Sequence, residues 1–217
     1  MSIAFFDMDH TLVLCNTGRV YVEDMRARGE IGLAQLLRAG SILLGYKLAV
    51  VDMERLIEEA VRRLEGESEA EIQERCDGLF EAHIRKHVSP DGIRHVEEHR
   101  AAGRRVVLLT AQTPLMARPL CRMLGIEDYL CTRLETVDGR FTGALDGPAC
   151  YGGGKTIWAR AYAAQHGMKL EDCWFYTDSY SDLPMLQMVD NRRVVNPDPR
   201  LRLHARLRRW PVLRFER

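Results

Sequence analysis

The sequence predicts an α/β protein, a parallel sheet interleaved with helices, carrying a helical module inserted after its first strand. Three observations predict it. Short apolar runs at residues 3–6, 106–109, 174–176 and 194–195 are separated by long helical stretches, and that alternation builds parallel sheets. The first run, Ile-Ala-Phe-Phe, is apolar throughout, as in a strand buried on both faces. Between about Thr17 and His87 the composition shifts to helix formers with no convincing strand. A chain of 217 residues accommodates one large domain, or a core with an inserted module. The expected division is a core of residues 1–16 and 88–217 and a helical module of residues 17–87.

Taken in order, the elements have local reasons. Residues 31–51 of the module contain only Arg38 and Lys47 as charges, which raises the question of a membrane span. A single span there would put Asp7 and every later strand on opposite sides of a bilayer, so an amphipathic helical bundle is expected instead. A helix is predicted over 90–102, with Ser89 as N-cap, Pro90 in the first turn and Gly103 closing it before the second strand. Another starts at Thr113-Pro114 and stops at Gly125. Asp138-Gly139, between residues 135–137 and 140–142, is a two-residue hairpin turn. A further helix follows Gly154, with Ile157, Trp158, Ala161 and Tyr162 assigned to one face, and ends before Gly167.

Composition excludes some classes. Lys plus Arg equal Asp plus Glu at 31 each, which gives no overall electrostatic case for nucleic acid or an anionic surface. The basic segment 200–209, interleaved with Leu201, Leu203 and Leu207 and followed by Trp210, reads as a half-buried terminal element. Six cysteines without C-x-x-C spacing, and no N-terminal signal, lead to the expectation of reduced thiols in a cytoplasmic protein. His95-x-x-Glu98-His99 imitates a zinc-protease string, but charged neighbours make it a solvated helix face, and His83 and His87 read the same way.

Chemistry is suggested by carboxylates at strand ends. Asp7 and Asp9 directly follow the first strand, at the edge where open α/β sheets hold ligands; two such charges ask for a divalent cation, a raised pKa, or both. Thr110 ends the second strand in a hydroxyl. Lys155, in the loop Gly152-Gly153-Gly154-Lys155-Thr156, offers one cation on flexible backbone. Asp178 and Asp182, four residues apart, follow the Trp174 strand. Singly, each has an ordinary explanation as a turn, strand-end or helix-capping residue. A nucleotide P-loop is excluded, since it requires Gly where the chain has Ala149 and a strand where it has Gly147-Pro148. Four carboxylates, a hydroxyl and a lysine together suit magnesium and a phosphoryl group.

In this order the motifs resemble those of the haloacid dehalogenase superfamily of phosphohydrolases: Asp7-Met8-Asp9-His10-Thr11-Leu12 as the first, Thr110 the second, Lys155 the third, and Asp178 with Asp182 the fourth. The helical insert, the run from Asp178 to Leu186 and the ending Val195-Asn-Pro-Asp-Pro-Arg are similar to the phosphoserine-phosphatase-like subfamily IB. The resemblance implies a Rossmann-like three-layer core with a C1-type helical cap, and a Mg2+-dependent phosphomonoester hydrolase acting on a small phosphorylated metabolite through an aspartyl-phosphate. It implies Asp7 as nucleophile, Asp9 as acid–base, Thr110 and Lys155 as phosphate-binding groups, and metal held by Asp7, the Asp9 carbonyl, Asp178 and Asp182, the last through water. Asn16 stands where phosphoserine phosphatases place a glutamate for the substrate ammonium, so phosphoserine is not the first expected substrate. Thr177 and Ser181 replace the usual Gly and Asn of the fourth motif. Rival readings are a phosphotransferase or mutase with the same intermediate, and a silent binding protein on this fold. No nucleic acid partner and no stable membrane association are expected. Histidinol phosphate, sugar phosphates and lysophospholipids stay open as substrates.

Overall fold

The computed structural model describes residues 2–30 and 53–216. The strands are β1 (Ile3–Phe6), β2 (Arg105–Leu109), β3 (Asp128–Leu130), β4 (Leu134–Val137), β5 (Arg140–Leu145), β6 (Trp174–Thr177), β7 (Asn191–Val195) and β8 (Val212–Leu213). Six form one sheet in the order β3-β2-β1-β6-β7-β8, every neighbouring pair parallel, while β4 and β5 make a separate antiparallel hairpin. The helices are α1 (Thr17–Ala27), α2 (Met53–Arg62), α3 (Glu69–Leu79), α4 (Pro90–Ala101), α5 (Pro114–Leu124), α6 (Gly153–Gln165), α7 (Leu183–Met188) and α8 (Pro199–Arg208).

Because side chains alternate along a strand, β1 feeds two cores. Ala4 and Phe6 join residues of α3, α4 and α5 such as Cys76, Val96 and Leu120; Ile3 and Phe5 join Ala159 of α6, Leu186 of α7 and Leu201 of α8. All four β1 side chains are fully buried, which explains the uninterrupted apolar run. The result is a three-layer α/β fold. With β2 on one side of β1 and β6 on the other, the strand order reverses at β1, and the crevice above its C-terminal end is the natural ligand site of such sheets.

Local signals hold where side-chain chemistry fixes them. Ser89 Oγ accepts from Gly92 N at 3.3 Å and Pro90 opens α4; Gly125, at φ 61°, ends α5; Asp138 and Gly139, at φ 51° and 74°, make the primed hairpin turn. Two strands, β3 and β8, are additional. The helical face assigned to α6 is corrected: Lys155, Ala159, Tyr162 and Ala163 are buried, whereas Ile157 is 58% exposed and Ala161 also faces solvent. In α8, Leu201 and Ala205 are buried but Leu203 and Leu207 are exposed, so only half of the expected apolar set contributes to the core.

The zinc-like string resolves as packing. His95 pairs with Glu98 and stacks on Phe215, while buried His99 bonds the Tyr176 hydroxyl at 2.9 Å. Burial, then the charge of Arg104, lowers the His99 pKa to about 4, which keeps the ring neutral. The apolar stretch 31–51 lies outside the described residues; among those described, no helix is long and apolar enough to cross a membrane. The inserted helical segment meets the rest of the chain partly through the hairpin: Gly66 N donates to Phe141 O at 2.8 Å and Phe141 N to Glu67 O at 3.0 Å, and α2 lies against β5.

Candidate active site

Parallel register brings three strand ends together. Phe6 is level with Leu108 of β2 and with Tyr176 of β6, so Asp7, Thr110 and Asp178 leave the sheet at one edge. Asp7 N donates to Tyr176 O at 2.9 Å, continuing the ladder one residue past β1. The Asp7 side chain is thereby placed by backbone pairing rather than by a mobile loop.

Lys155 is not on flexible backbone as expected. It sits in the first turn of α6 and is 2% exposed, its ammonium 2.9 Å from Asp7 Oδ1 and 2.7 Å from Asp182 Oδ2. The glycine run before it has a structural explanation. Gly152 adopts φ 51°, and a Cβ on Gly154 would lie 1.9 Å from the Ala149 carbonyl oxygen, so only glycine lets α6 start against that loop. Buried Asp182 spends its Oδ2 on Lys155 and on the Thr177 hydroxyl, which donates at 2.6 Å. Asp182 thus holds the lysine. Asp198 braces the neighbouring loop: its N donates to Asp178 O at 2.9 Å and its carboxylate accepts from Tyr180 N and Leu201 N.

On the other side of Asp7, the Asp9 carboxylate is held at both oxygens. Thr17, first residue of α1, donates to Oδ1 from its hydroxyl at 2.7 Å and its backbone at 3.2 Å; Gln112 Nε2 donates to Oδ2 at 2.9 Å. Thr110, 2% exposed, accepts from Gln112 N at 3.2 Å, and the buried Thr132 hydroxyl ties this loop to Cys150. Thr17, Gln112, Thr132 and Thr177 were not singled out by sequence reasoning as site residues; only Thr177 carried a signal, as a departure from the fourth-motif pattern. Asn16 caps α1, its Oδ1 accepting from Arg19 N at 2.8 Å. Its amide oxygen is therefore oriented by the start of that helix.

Electrostatics mark the cluster as cation-seeking. Burial drives the Asp7 pKa up to about 7; the Lys155 charge opposes this and Asp182 and Asp9 reinforce it. Burial, then Asp7 and Asp182, pushes Asp178 well above the usual carboxylate range, and burial raises Asp9 against the donors of Thr17 and Gln112. For Lys155, burial works against the charge but Asp182 and Asp7 outweigh it, keeping the ammonium protonated. Among the described residues no three His, Cys, Asp or Glu side chains form a ready-made metal cage. The carboxylates of Asp7 and Asp178, at neighbouring strand ends, are hard oxygen donors of the kind Mg2+ takes one or two at a time while retaining water.

The model of haloacid dehalogenase-like hydrolases matches residues 4–187. Over 219 residues the chain is 34% identical to the phosphoserine phosphatase SerB1 of Mycobacterium tuberculosis, covering 98% of this chain and 70% of that one. It is 28% identical over 220 residues to a histidinol-phosphatase of Neisseria meningitidis, covering 99% of both. A crystal structure of a Bordetella pertussis protein with unknown function superposes with a TM-score of 0.88 at 28% identity, covering 98% of this chain and 97% of that one. The chain belongs to the haloacid dehalogenase-like hydrolases and, within them, to the phosphoserine-phosphatase-like phosphatases.

Proposed function

We propose that the chain hydrolyses a small phosphomonoester with Mg2+, through an aspartyl-phosphate on Asp7. The observation that carries this is the Asp7 carboxylate placed by β1, ion-paired to buried Lys155 and flanked by a hydrogen-bonded Asp9 and by Asp178. Asp7 Oδ attacks phosphorus as the bond to the leaving oxygen breaks, and Asp9 gives that oxygen its proton; Asp9 then takes a proton from water as water displaces Asp7. Thr110 and Lys155 hold the transferring oxygens. Asp7, the Asp9 carbonyl and Asp178 would hold Mg2+, which would relieve the anion–anion repulsion between Asp7 and the phosphate. Asp182, given above as a water-mediated ligand, is better supported as the partner that fixes Lys155. The described parts of the insert, residues 17–30 and 53–87, are proposed as belonging to the cap.

Substrate choice is argued from Asn16. A substrate ammonium needs an acceptor with negative charge, which the Asn16 amide lacks, and its Oδ1 is already oriented by the helix cap it makes to Arg19 N. Phosphoserine is therefore expected to fall about 10- to 150-fold below the best compound of a phosphorylated-metabolite panel in kcat/KM, the value of one charge-assisted contact of about 1.5 to 3 kcal/mol. A panel containing histidinol phosphate, sugar phosphates and lysophospholipids tests both the activity and the substrate class. Phosphoserine at the head of the panel would refute the Asn16 argument, and no Mg2+-dependent release of phosphate from any member would refute the function.

Metal binding is expected to register in stability with a definite pH dependence. With its folded pKa near 7 against 3.8 unfolded, Asp7 binds more protons in the native state between those limits, so metal-free stability falls as pH rises through that window. Mg2+ requires the ionised carboxylates, so it competes with these protons. At about 100 times its dissociation constant it stabilises by roughly 2.7 kcal/mol, or about 5 to 10 °C in thermal midpoint for a chain of this size, at pH 8, and by clearly less at pH 5.5. Scanning calorimetry with Mg2+ and with EDTA at both pH values checks the sign; equal shifts at both would contradict it.

A further inference from the structure

We infer that Oδ2 of Asp9 is the atom that exchanges the proton with leaving group and water, and that Gln112 is the positioning residue that aims it. This rests on the acid–base role of Asp9 in the function proposed above and adds which atom acts and what holds it. A carboxylate oxygen has two lone pairs. On Oδ1 both are taken, by the Thr17 hydroxyl at 2.7 Å and the Thr17 amide at 3.2 Å. Oδ2 accepts one hydrogen bond among the described residues, from Gln112 Nε2 at 2.9 Å, and keeps a lone pair for the transferable proton.

Gln112 is itself fixed for the task. Its backbone N donates to Thr110 Oγ1 at 3.2 Å and its carbonyl accepts from Thr132 N at 3.0 Å, so both ends of its peptide are pinned beside the phosphate-binding threonine. Thr132 is fully buried, and its hydroxyl donates to Ala111 O at 2.9 Å, holding the residue before Gln112 as well. From this anchor the side chain spans to a carboxylate 103 residues away in sequence. The proton inventory balances. Asp9 Oδ2–H gives its proton to the leaving oxygen as the phosphorus bond to Asp7 forms and the bond to that oxygen breaks. Water then returns a proton to Oδ2 as its oxygen bonds phosphorus and the Asp7 bond breaks. Gln112 donates to Oδ2 in both half-reactions and is never itself a proton source.

The test exploits the leaving group. Protonation matters little for 4-nitrophenolate and greatly for an alkoxide, so kcat/KM, which reports formation of the phosphoenzyme, is measured for 4-nitrophenyl, phenyl and benzyl phosphate with Mg2+. Gln112→Met keeps the length of the side chain but cannot donate; it should lose roughly 10- to 100-fold on benzyl phosphate and under about 3-fold on 4-nitrophenyl phosphate, a fraction of the 100- to 10,000-fold typical of general acid–base catalysis. Gln112→Leu, neutral and likewise unable to donate, should do the same, and covers the case in which the methionine variant fails to fold. Asp9→Asn is the reference and should steepen the leaving-group dependence further. Equal losses on all three substrates, or none, in both Gln112 variants while Asp9→Asn steepens it, would overturn the role of Gln112 and leave the proposed function intact. A flat dependence in Asp9→Asn itself would instead overturn the acid–base role on which the inference stands.

Discussion

Asp7→Asn should abolish Mg2+-dependent phosphate release, by about 10,000-fold or more, while leaving the fold in place. Losses of that size follow removal of a nucleophile from a site whose parts act as a unit. The substitution keeps the shape of a side chain that is 7% exposed and keeps the Asp7 N to Tyr176 O bond that anchors it. It removes a buried negative charge whose pKa already stands near 7, so the metal-free variant should melt no lower than the wild type at pH 8. Lys155 retains Asp182 as its partner. The informative combination is therefore unchanged or raised stability, a lost Mg2+-induced shift and lost turnover. Full activity in the purified variant would remove Asp7 from the mechanism.

The separation between chemistry and folding in that experiment reflects what sequence could and could not convey. Strand ends carrying Asp7, Thr110 and Asp178 were legible because a fully apolar run followed by a carboxylate or hydroxyl is a local pattern, and parallel pairing then brings the three together without further information. Helix caps at Ser89 and Gly125 and the Asp138-Gly139 turn were legible for the same reason: one or two side chains decide the local backbone. Gln112 and Thr17 were not, since they are ordinary polar residues until the fold places both against Asp9. The burial of Lys155 was equally hidden. Three glycines suggest mobility in sequence, but here Gly154 gives close contact with Ala149 and the helix begins at Gly153. Strands β3 and β8, of three and two residues, are too short to carry any periodicity and exist only because longer neighbours offer an edge.

Lys155→Met should destabilise the protein as well as inactivate it, and the two effects should come apart in a double variant. The ammonium is 2% exposed between two carboxylates, Asp7 and Asp182, so deleting it strands buried charge rather than merely losing a contact. Breaking a buried pair from one side costs about 3 to 5 kcal/mol. At roughly 2 to 4 °C per kcal/mol for a chain of this length, the thermal midpoint at pH 8 should fall by about 6 to 20 °C. The pH dependence has a fixed sign. Lys155 has its folded pKa raised above 10.5, so in the wild type its stabilisation is fully present through pH 5 to 8 and is lost only in strong alkali. Without it, nothing opposes the burial and the Asp182 charge that drive the Asp7 pKa upward, and the variant should regain stability as pH falls from 8 to 5, more steeply than the wild type. Removing Asp182 together with Lys155 leaves one stranded carboxylate, Asp7, in place of two, and replacing partners together is less costly than orphaning them. Lys155→Met with Asp182→Asn should therefore recover part of the lost midpoint without recovering turnover, because the cation that holds the transferring oxygens is still missing. A single variant melting with the wild type at pH 8 would show that Asp7 and Asp182 do not depend on Lys155 for their burial.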